Sequence, residues 1–583
     1  MPTLVLCALL SVLLCSCNLS EQEVSDTQPR RPDASKDVPD TPDTTPDLQD
    51  TSDATDEGAS CEQDSRWVDG RCVACALGFE FASESGSECV EVLCARNEYV
   101  SERACAPCPD GESNDAGDRA ASGDTTCDGE DPCLPLFGVR CDQVQQQVVK
   151  ASNAEPDDMF GHAFALSGDT LVVGAPGEDS ASTTINGPHG DNDAPSRGAA
   201  YVFVRREGSW VQQAYIKPSQ APEAITSFGR SVAVDGDTLA IKANQAKPYE
   251  NGPTFQHSMV YLFTRDGDQW SEHSRIEDPA FTPFSSFGSK LILQGDTLVI
   301  ANSSESSSIK RPDGTNTNGH FSGGVYLYKR EDGVWSQAAL LKASNSSEYA
   351  NFGASISLDD TLLAIGSPGE KSNATGVGGD QDNTDARSSG AVYVFEQRDD
   401  TWVQQAYIKA SNTNTNDRFG SAVSLHDQTL VVGAPGEGSN VTGVGRDQFN
   451  NDSGRSGAVY VFTQTGDSWT QQAYIKASNT GATDEFGHDV WAHENLILVS
   501  ARQEDSVATG IHPTHAGADQ PDANLGAVYL FARDQGIWSQ RLYIKSPFPL
   551  EQSNQFGSPL FLSKDGLAIG MTNALHTLQI NTP

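Results

Sequence analysis

The feature that most constrains the fold is a Phe-Gly step that returns at a nearly fixed spacing. From residue 143 onward, seven such steps follow one another at intervals of 59 to 70 residues. They begin at Phe160, Phe228, Phe287, Phe352, Phe419, Phe486 and Phe556. Self-similarity at a period of this length is typical of repeat architectures, in which each unit needs its neighbours to bury a core.

Each repeat divides into four short β runs, which are clearest after Phe419. The runs read GSAVSLH, TLVVGAP, GAVYVFT and WTQQAYIK, and we name them A to D. Their alternation and their β-branched and aromatic content predict strands, and the tight A–B and C–D turns predict hairpins. Four-stranded units in series predict an all-β fold, a seven-bladed β-propeller.

The two ends of the array are complementary. The seventh repeat has runs A to C but no run D and no Trp. Residues 143–153, QVQQQVVKASN, match the VQQAYIKASN of a D run and precede the first Phe-Gly step. We therefore expect the N-terminal strand to complete the seventh blade and close the ring, which removes exposed sheet edges.

The Phe-Gly step followed by Gly-Ala-Pro, at 174–176 and 433–435, resembles the FG-GAP repeat of integrin α-subunit propellers. The resemblance covers about 143–580 and implies a propeller used for binding outside the cell. The long, similar repeats look most like those of bacterial surface lipoproteins. Integrin-type repeats often place an Asp-rich calcium loop between the first two strands. Here that link, at 167–169, 359–360 and 426–428, is too short to supply six to eight oxygen ligands.

The N-terminal residues predict export and a lipid anchor. Residues 3–15 form an apolar run too short to span a bilayer, and we expect a signal peptide over 1–16. The stretch before Cys17 resembles a bacterial lipobox, which would make Cys17 the lipidated residue; the alternative is an ordinary cleaved signal. Residues 17–60, the lipidated Cys and an Asp/Thr/Pro linker, predict a disordered stalk. The location expected is the outer membrane or cell surface, extracytoplasmic and lipid-anchored.

Ten cysteines are confined to residues 61–141, and the propeller segment 143–583 has none. They are Cys61, Cys72, Cys75, Cys89, Cys94, Cys105, Cys108, Cys127, Cys133 and Cys141. An even, confined set in an exported chain predicts a disulfide-rich module rather than the zinc site that two C-x2-C pairs also allow. Residues 94–127 resemble extracellular EGF-like or receptor-type Cys-rich repeats.

The charge balance excludes one class of partner. The chain has 80 Asp+Glu against 38 Lys+Arg, a net charge of −42. Nucleic-acid binding needs clustered Lys and Arg, so we expect no nucleic-acid partner. The expected partners are an extracellular protein or glycan and, through the anchor, a membrane.

Strand direction predicts that the long B–C loops and the D–A links share one face, where binding residues are favoured. Acidic groups recur in these loops, and calcium is a possible ligand; solvated turns are the alternative. The candidates are Asp191, Asp193, Asp380, Asp382, Asp385, Asp447, Asn450, Asp452, Asp519 and Asp522. Lysines end near this face and are expected to pair with these aspartates: Lys150, Lys217, Lys342, Lys409, Lys476 and Lys545.

For two further residue patterns we expect a structural role and not a binding role. His512 and His515 lie beside Asp519 in one loop, where a metal is possible but surface histidines are the expected interpretation. A Trp recurs at the start of run D, and we expect these rings to pack between blades. They are Trp210, Trp270, Trp335, Trp402, Trp469 and Trp538. The Phe of each Phe-Gly step is expected in the core, with its Gly allowing close backbone approach.

No catalytic motif stands out, so no catalytic residue is predicted. The first hypothesis is a non-enzymatic, adhesion-like surface lipoprotein whose propeller binds a protein or glycan. Because propellers host both roles, the alternative is a hydrolase or lyase with its site on the propeller axis. A third hypothesis is a purely structural envelope protein.

Overall fold

A computed structural model of the chain describes most of the propeller segment and parts of what precedes it. The described residues are 146–155, 157–219, 225–248, 254–280, 285–307, 319–512, 519–520, 523–549, 556–564, 566–571 and 573–579, residues 133 and 144, and eight short strands between 65 and 130. The chain divides into two compact units, Met1–Ala74 and Cys75–Pro583. The predicted signal peptide, Cys17 and the stalk lie outside the described residues.

Eight short strands in the Cys-rich segment pair as four antiparallel two-stranded sheets. The pairs are Ser65–Val68 with Arg71–Ala74, Phe79–Phe81 with Cys89–Glu91, Glu98–Ser101 with Ala104–Pro107, and Glu112–Ser113 with Asp128–Glu130. Cys133 is buried and disulfide-bonded. The side chains of the other nine cysteines lie outside the described residues, so the disulfide-rich module and the domain boundaries stay predictions.

The rest of the described chain forms seven antiparallel sheets, one for each Phe-Gly step, and contains no helix. Strands A are Ala163–Ser167, Val232–Asp235, Leu291–Gln294, Ser355–Asp359, Ala422–His426, Phe486–His493 and Phe556–Ser563. Strands B are Thr170–Ala175, Thr238–Pro248, Thr297–Asn302, Leu362–Ser367, Thr429–Ala434, Leu496–Ala501 and Gly566–Met571. The prediction of an all-β, seven-bladed propeller is confirmed.

The outer half of each sheet is a hairpin of strands C and D. Strands C are Ala199–Arg206, Thr254–Asp266, Gly324–Glu331, Ala391–Arg398, Ala458–Thr465, Ala527–Asp534 and Ala574–Gln579. Strands D of blades 1 to 6 are Ser209–Ile216, Gln269–Glu277, Val334–Leu341, Thr401–Ile408, Ser468–Ile475 and Ile537–Ile544. Two short strands, Ile225–Thr226 and Ile511–His512, add a fifth strand to blades 2 and 6.

The Phe-Gly steps join consecutive blades. Phe419 is fully buried and packs edge-on against Tyr460, with 5.3 Å between ring centroids. Its backbone N–H donates to the carbonyl of Ser389 in the preceding blade, at 2.9 Å. A Cβ on Gly420 would lie 2.6 Å from the carbonyl oxygen of Ala391, so only glycine fits there. The predicted core Phe and close-approach Gly are confirmed.

The seventh sheet contains a strand from far upstream. Residues Gln146–Val149, which we call the upstream strand, pair antiparallel with Ala574–Gln579. Val149 lies opposite Leu575, and both side chains are buried. The upstream strand thus occupies the strand D position of the seventh blade.

Candidate functional site

The antiparallel strand order separates two faces of the propeller. The A–B and C–D turns lie on one face, and the B–C loops and D–A links lie on the other, which we call the loop face. The longest described loops are residues 176–198, 368–390 and 435–457. The links contact them directly: Asn412 Nδ2 donates to the carbonyl of Gln448, at 2.6 Å. Blade 2 departs from this plan, because its strands B and C continue as one long hairpin.

Each long loop starts over a buried ion pair. In blade 4, Lys409 Nζ lies 2.7 Å from Glu370 Oε2, and both side chains are shielded from water. The other oxygen, Glu370 Oε1, accepts from Asn345 Nδ2 at 3.1 Å and from the backbone N–H of Ser372 at 2.9 Å. Burial lowers the pKa of Lys409, and the Glu370 carboxylate opposes that shift. A buried charge without its partner is costly, so the two side chains keep this contact. The contact in turn fixes the base of the loop in one geometry.

The same pair recurs in four other blades. The contacts are Lys217 to Glu178 at 2.6 Å, Lys476 to Glu437 at 2.8 Å, Lys545 to Glu504 at 2.6 Å, and Lys342 to Glu305. An Asn from the preceding link donates to Glu178, Glu437 and Glu504 as well. Each of these three glutamates thus contacts both the lysine that follows strand D of its own blade and an asparagine of the link that leads into the blade.

The lysines therefore do not pair with the loop aspartates, and that prediction is wrong. Five of them face a buried glutamate instead, because the glutamate at the start of the loop lies deeper than the aspartates near its tip. Lys150, the lysine after the upstream strand, is exposed. Blade 7 has no glutamate at the corresponding place.

The predicted acidic residues lie at the loop tips, where several fix turns. Asp191 Oδ1 accepts the backbone N–H of Ala181 at 2.8 Å, a bond that lowers its pKa. Asn450 holds the same position in blade 5 and accepts the N–H of Asn440 at 2.9 Å. Asp380 and Asp447 accept N–H groups two residues further on, each at 3.0 Å.

The remaining candidates are exposed on the loop face: Asp193, Asp382, Asp385, Asp452 and Asp519. Asp522 lies outside the described residues. Within the described ranges, no group of three or more His, Cys, Asp or Glu side chains is arranged to hold a metal ion. Calcium binding by these loops stays a prediction.

The structure places His512 at the edge of a sheet and three of the tryptophans between blades. His512 lies in a short edge strand, with Nε2 2.7 Å from the carbonyl oxygen of Thr509, and His515 lies outside the described residues. The tryptophans of blades 2, 5 and 6 are buried between blades, and their indole N–H donates to a glutamine of the preceding strand D. Inter-blade packing is therefore confirmed for these rings.

A second group of residues gathers on the axis, at the loop-face end of the channel. Strands A of neighbouring blades contact each other around this axis, and each starts at or just after its Phe-Gly step. The residues there are His162, Arg230, Lys290, His488, Asp489 and Arg502, which we call the axial cluster. They come from blades 1, 2, 3 and 6. Arg502 Nη1 lies 3.4 Å from His488 Nε2, and Asp489 Oδ2 accepts the N–H of Leu560 at 3.1 Å.

The axial cluster is basic although the chain is acidic. Burial raises the pKa of Asp489, while Lys290 and His488 favour its charged form. His162 is exposed to the channel, with protein packed around part of its ring. Burial, with the cations Arg230, Lys290 and Arg502 nearby, lowers its pKa to about 4. The cluster thus combines two arginines and a lysine with two histidines and one aspartate, and its basic side chains attract anions into the channel mouth.

Sequence reasoning missed both the buried glutamates and the axial cluster. The glutamates had a signal: Glu178, Glu370 and Glu437 each lie 39 residues before their lysine. The axial cluster had none, because its members are single residues near different Phe-Gly steps and differ in type from blade to blade.

A profile of the FG-GAP repeat family matches four segments of the chain, residues 144–203, 335–395, 402–462 and 469–531. These four segments are therefore FG-GAP repeats, and they lie within a seven-bladed β-propeller. No curated protein matches the chain significantly. Over the described residues, no helix has the length and hydropathy needed to cross a membrane.

Among solved structures, the chain is similar to the WD40 domain of SCAP from fission yeast. The identity is 10%, the coverage is 76% of this chain and 99% of that chain, and the TM-score is 0.34. It is also similar to the Trypanosoma rangeli sialidase, with 10% identity, 68% and 59% coverage, and a TM-score of 0.30. At these values neither likeness carries an argument about activity.

Proposed function

We propose that this chain is a non-enzymatic, lipid-anchored surface protein whose propeller binds an extracellular protein or glycan through the loop face. The observation that carries the proposal is the arrangement of that face. Loops fixed at their bases by buried Glu–Lys pairs surround an axial cluster of cations. Pre-ordered loops reduce the entropy lost on binding, and a basic centre in an acidic surface selects an acidic group on the partner.

The segments before the propeller would present it at the surface. We propose a signal peptide over 1–16, lipidation at Cys17, a stalk to residue 60 and a disulfide-rich module over 61–141. We also propose that the upstream strand closes the ring in solution. The apolar run before Cys17, the confined cysteines and the pairing of Gln146–Val149 with Ala574–Gln579 support these steps.

The test is binding of the whole chain to sulfated and carboxylated glycans and to matrix proteins, with calcium and with chelator. Arg230→Gln together with Lys290→Gln removes two exposed cations of the axial cluster. The matched control is Lys564→Gln, an exposed lysine on the opposite face. We expect the double variant to weaken binding at least tenfold and the control to leave it within twofold. Failure to bind any acidic partner, or equal binding by all variants, contradicts the proposal.

One observation favours a second function, a hydrolase or lyase with its site on the axis. His488, Arg502 and Asp489 come together there, and such groups can transfer protons or stabilise developing charge. Turnover of polyuronates, glycosides or esters that disappears in His488→Gln would establish this function. Saturable binding without turnover favours the first proposal. A purely structural envelope protein would bind none of these probes.

A further inference from the structure

Three seams between neighbouring blades share one polar arrangement on the face opposite the loop face. Arg265, on strand C of blade 2, lies over the ring of Trp270, 5.0 Å from its centroid. Its Nη1 donates to Thr170 Oγ1 of blade 1, at 3.1 Å, and its Nε donates to Asp237, at 2.8 Å. The threonine is the first residue of strand B in the preceding blade.

Two other seams show the same contacts. Arg330 donates to Thr238 Oγ1 at 2.9 Å and to Asp296 at 2.7 Å. Arg533 Nη1 lies 3.5 Å from Thr429 Oγ1. Each of these guanidinium groups thus has a hydroxyl of the preceding blade as a hydrogen-bond partner.

The seam between blades 7 and 1 lacks this hydroxyl. Gly566 is the first residue of strand B in blade 7, where the three seams described above have threonine. Arg205 lies over Trp210, 4.7 Å from the ring centroid, as the other arginines do. Its Nε is buried without a hydrogen-bond partner among the described residues, and Asp169 Oδ1 is 3.6 Å away.

The upstream strand changes a second contact in this seam. In blades 2, 5 and 6 the Trp indole N–H donates to the glutamine of the preceding strand D, such as Gln213 for Trp270 at 3.1 Å. The upstream strand has Gln146 at that position of the repeat, but its Oε1 contacts His576 Nε2, at 3.1 Å. Within the described chain, the indole N–H of Trp210 has no such glutamine partner.

A cavity of about 260 Å³ lies at this seam. Its lining includes Arg205, Trp210, Gln147 and Gln579 as polar groups, with Phe561 and Leu567 as apolar surface. The volume equals that of about nine water molecules, enough for one monosaccharide unit. We call it the seam pocket.

We propose that the seam pocket binds a hydroxylated ligand, a single neutral monosaccharide unit. A ligand hydroxyl would accept from the Arg205 guanidinium, as the threonine hydroxyl does at the other seams, and a second oxygen would accept from the Trp210 indole N–H. The C–H face of the sugar would pack on Phe561. Asp169 already partly balances the charge of Arg205, so a neutral acceptor suits the site better than a carboxylate. The proposal is independent of the loop face.

The variant that tests this is Arg205→Gln. Glutamine stands at the same strand position, opposite the tryptophan, in blades 4 and 5, so the fold accepts it. The matched control is Arg265→Gln, which makes the same change in a seam whose threonine is present. Thermal unfolding of both variants serves to check that the ring is intact.

The probes are the methyl glycosides of glucose, galactose and N-acetylglucosamine, with galacturonate as the acidic comparison. Binding to the whole chain is measured by saturation-transfer NMR and calorimetry. We expect at least one neutral glycoside to bind, with affinity at least tenfold lower in Arg205→Gln and within twofold in Arg265→Gln. The proposal is overturned if no neutral glycoside binds at 10 mM, if only galacturonate binds, or if both variants lose affinity equally.

Discussion

Lys409 and Glu370 form an ion pair at 2.7 Å with both side chains buried, at the base of a long loop. Recurrence of this pair in five blades makes it a structural unit of the repeat rather than an incidental contact. It links the strand that ends one blade to the loop on which binding is proposed.

Removing one partner of this pair should destabilise the ring strongly. We expect Lys409→Met to lower the free energy of unfolding by about 3 to 5 kcal/mol, because Glu370 is left buried and unpaired. Lys150→Met is the matched control: it stands at the same repeat position but is exposed, and we expect a change within about 0.5 kcal/mol. Chemical denaturation measures both. Adding Glu370→Gln to Lys409→Met should recover part of the loss; no recovery contradicts the role of the unpaired charge.

The glycine of the Phe-Gly step should tolerate no side chain. Gly420 has φ of +85°, and a Cβ would meet the Ala391 carbonyl oxygen at 2.6 Å. Gly466 also has a positive φ, +59°, but a Cβ added there would have nothing within 4 Å. Gly466→Ala should therefore cost only about 1 kcal/mol for the backbone conformation, and Gly420→Ala clearly more. Equal losses in thermal unfolding would show that the close approach of the blades does not matter.

Asp417 should make stability depend on pH. Burial raises its pKa to about 7, against about 3.8 ordinarily. The folded chain then binds this proton more tightly than the unfolded chain, so the contribution to stability falls as pH rises from about 4 to 7. Asp417→Asn removes the cost of the buried charge and keeps an oxygen for the N–H of Asn414, which Asp417 accepts at 2.7 Å.

We therefore expect Asp417→Asn to stabilise the chain at pH 8 by up to about 4 kcal/mol and to have little effect near pH 4. Melting temperatures of variant and parent across this range give the difference. Asp467→Asn, at an exposed turn, is the control and should show no such trend. A difference that does not change with pH would mean that folding does not raise the pKa of Asp417.

Ring closure by the upstream strand can be tested at Val149. The side chain is buried in the core shared with blade 1, and Asp there would place an unpaired charge in that core. We expect Val149→Asp to cost about 3 kcal/mol or more and to increase the hydrodynamic radius if the ring opens. Val211→Asp, 44% exposed on strand D of blade 1, should change neither quantity. A parent-like melting temperature for Val149→Asp would contradict closure.

The propeller could be predicted from the sequence because strongly apolar runs and Phe-Gly steps recur at the spacing of the repeat. The loop face followed from strand direction alone. Glu370 was not recognised because a single acidic residue in a polar loop looks solvated, and only the tertiary structure shows that Lys409 reaches it. The axial cluster and the seam pocket could not be predicted, because their residues come from different blades. Arg230 lies near Lys290, and Arg205 near Gly566, only once the blades are arranged in a ring.

Gln147 and Thr577 are direct partners in one sheet, yet 430 residues separate them along the chain. At about 5 to 20 residues per second, synthesis puts roughly 20 to 90 s between the appearance of the two strands. During that time the upstream strand has no partner, and its hydrogen-bonding edge is open to other chains. The closure of so long a loop is entropically costly, which makes it a slow folding step. Pairing of the two strands can therefore begin only after most of the seventh blade has been synthesised, whatever the stability of the finished ring.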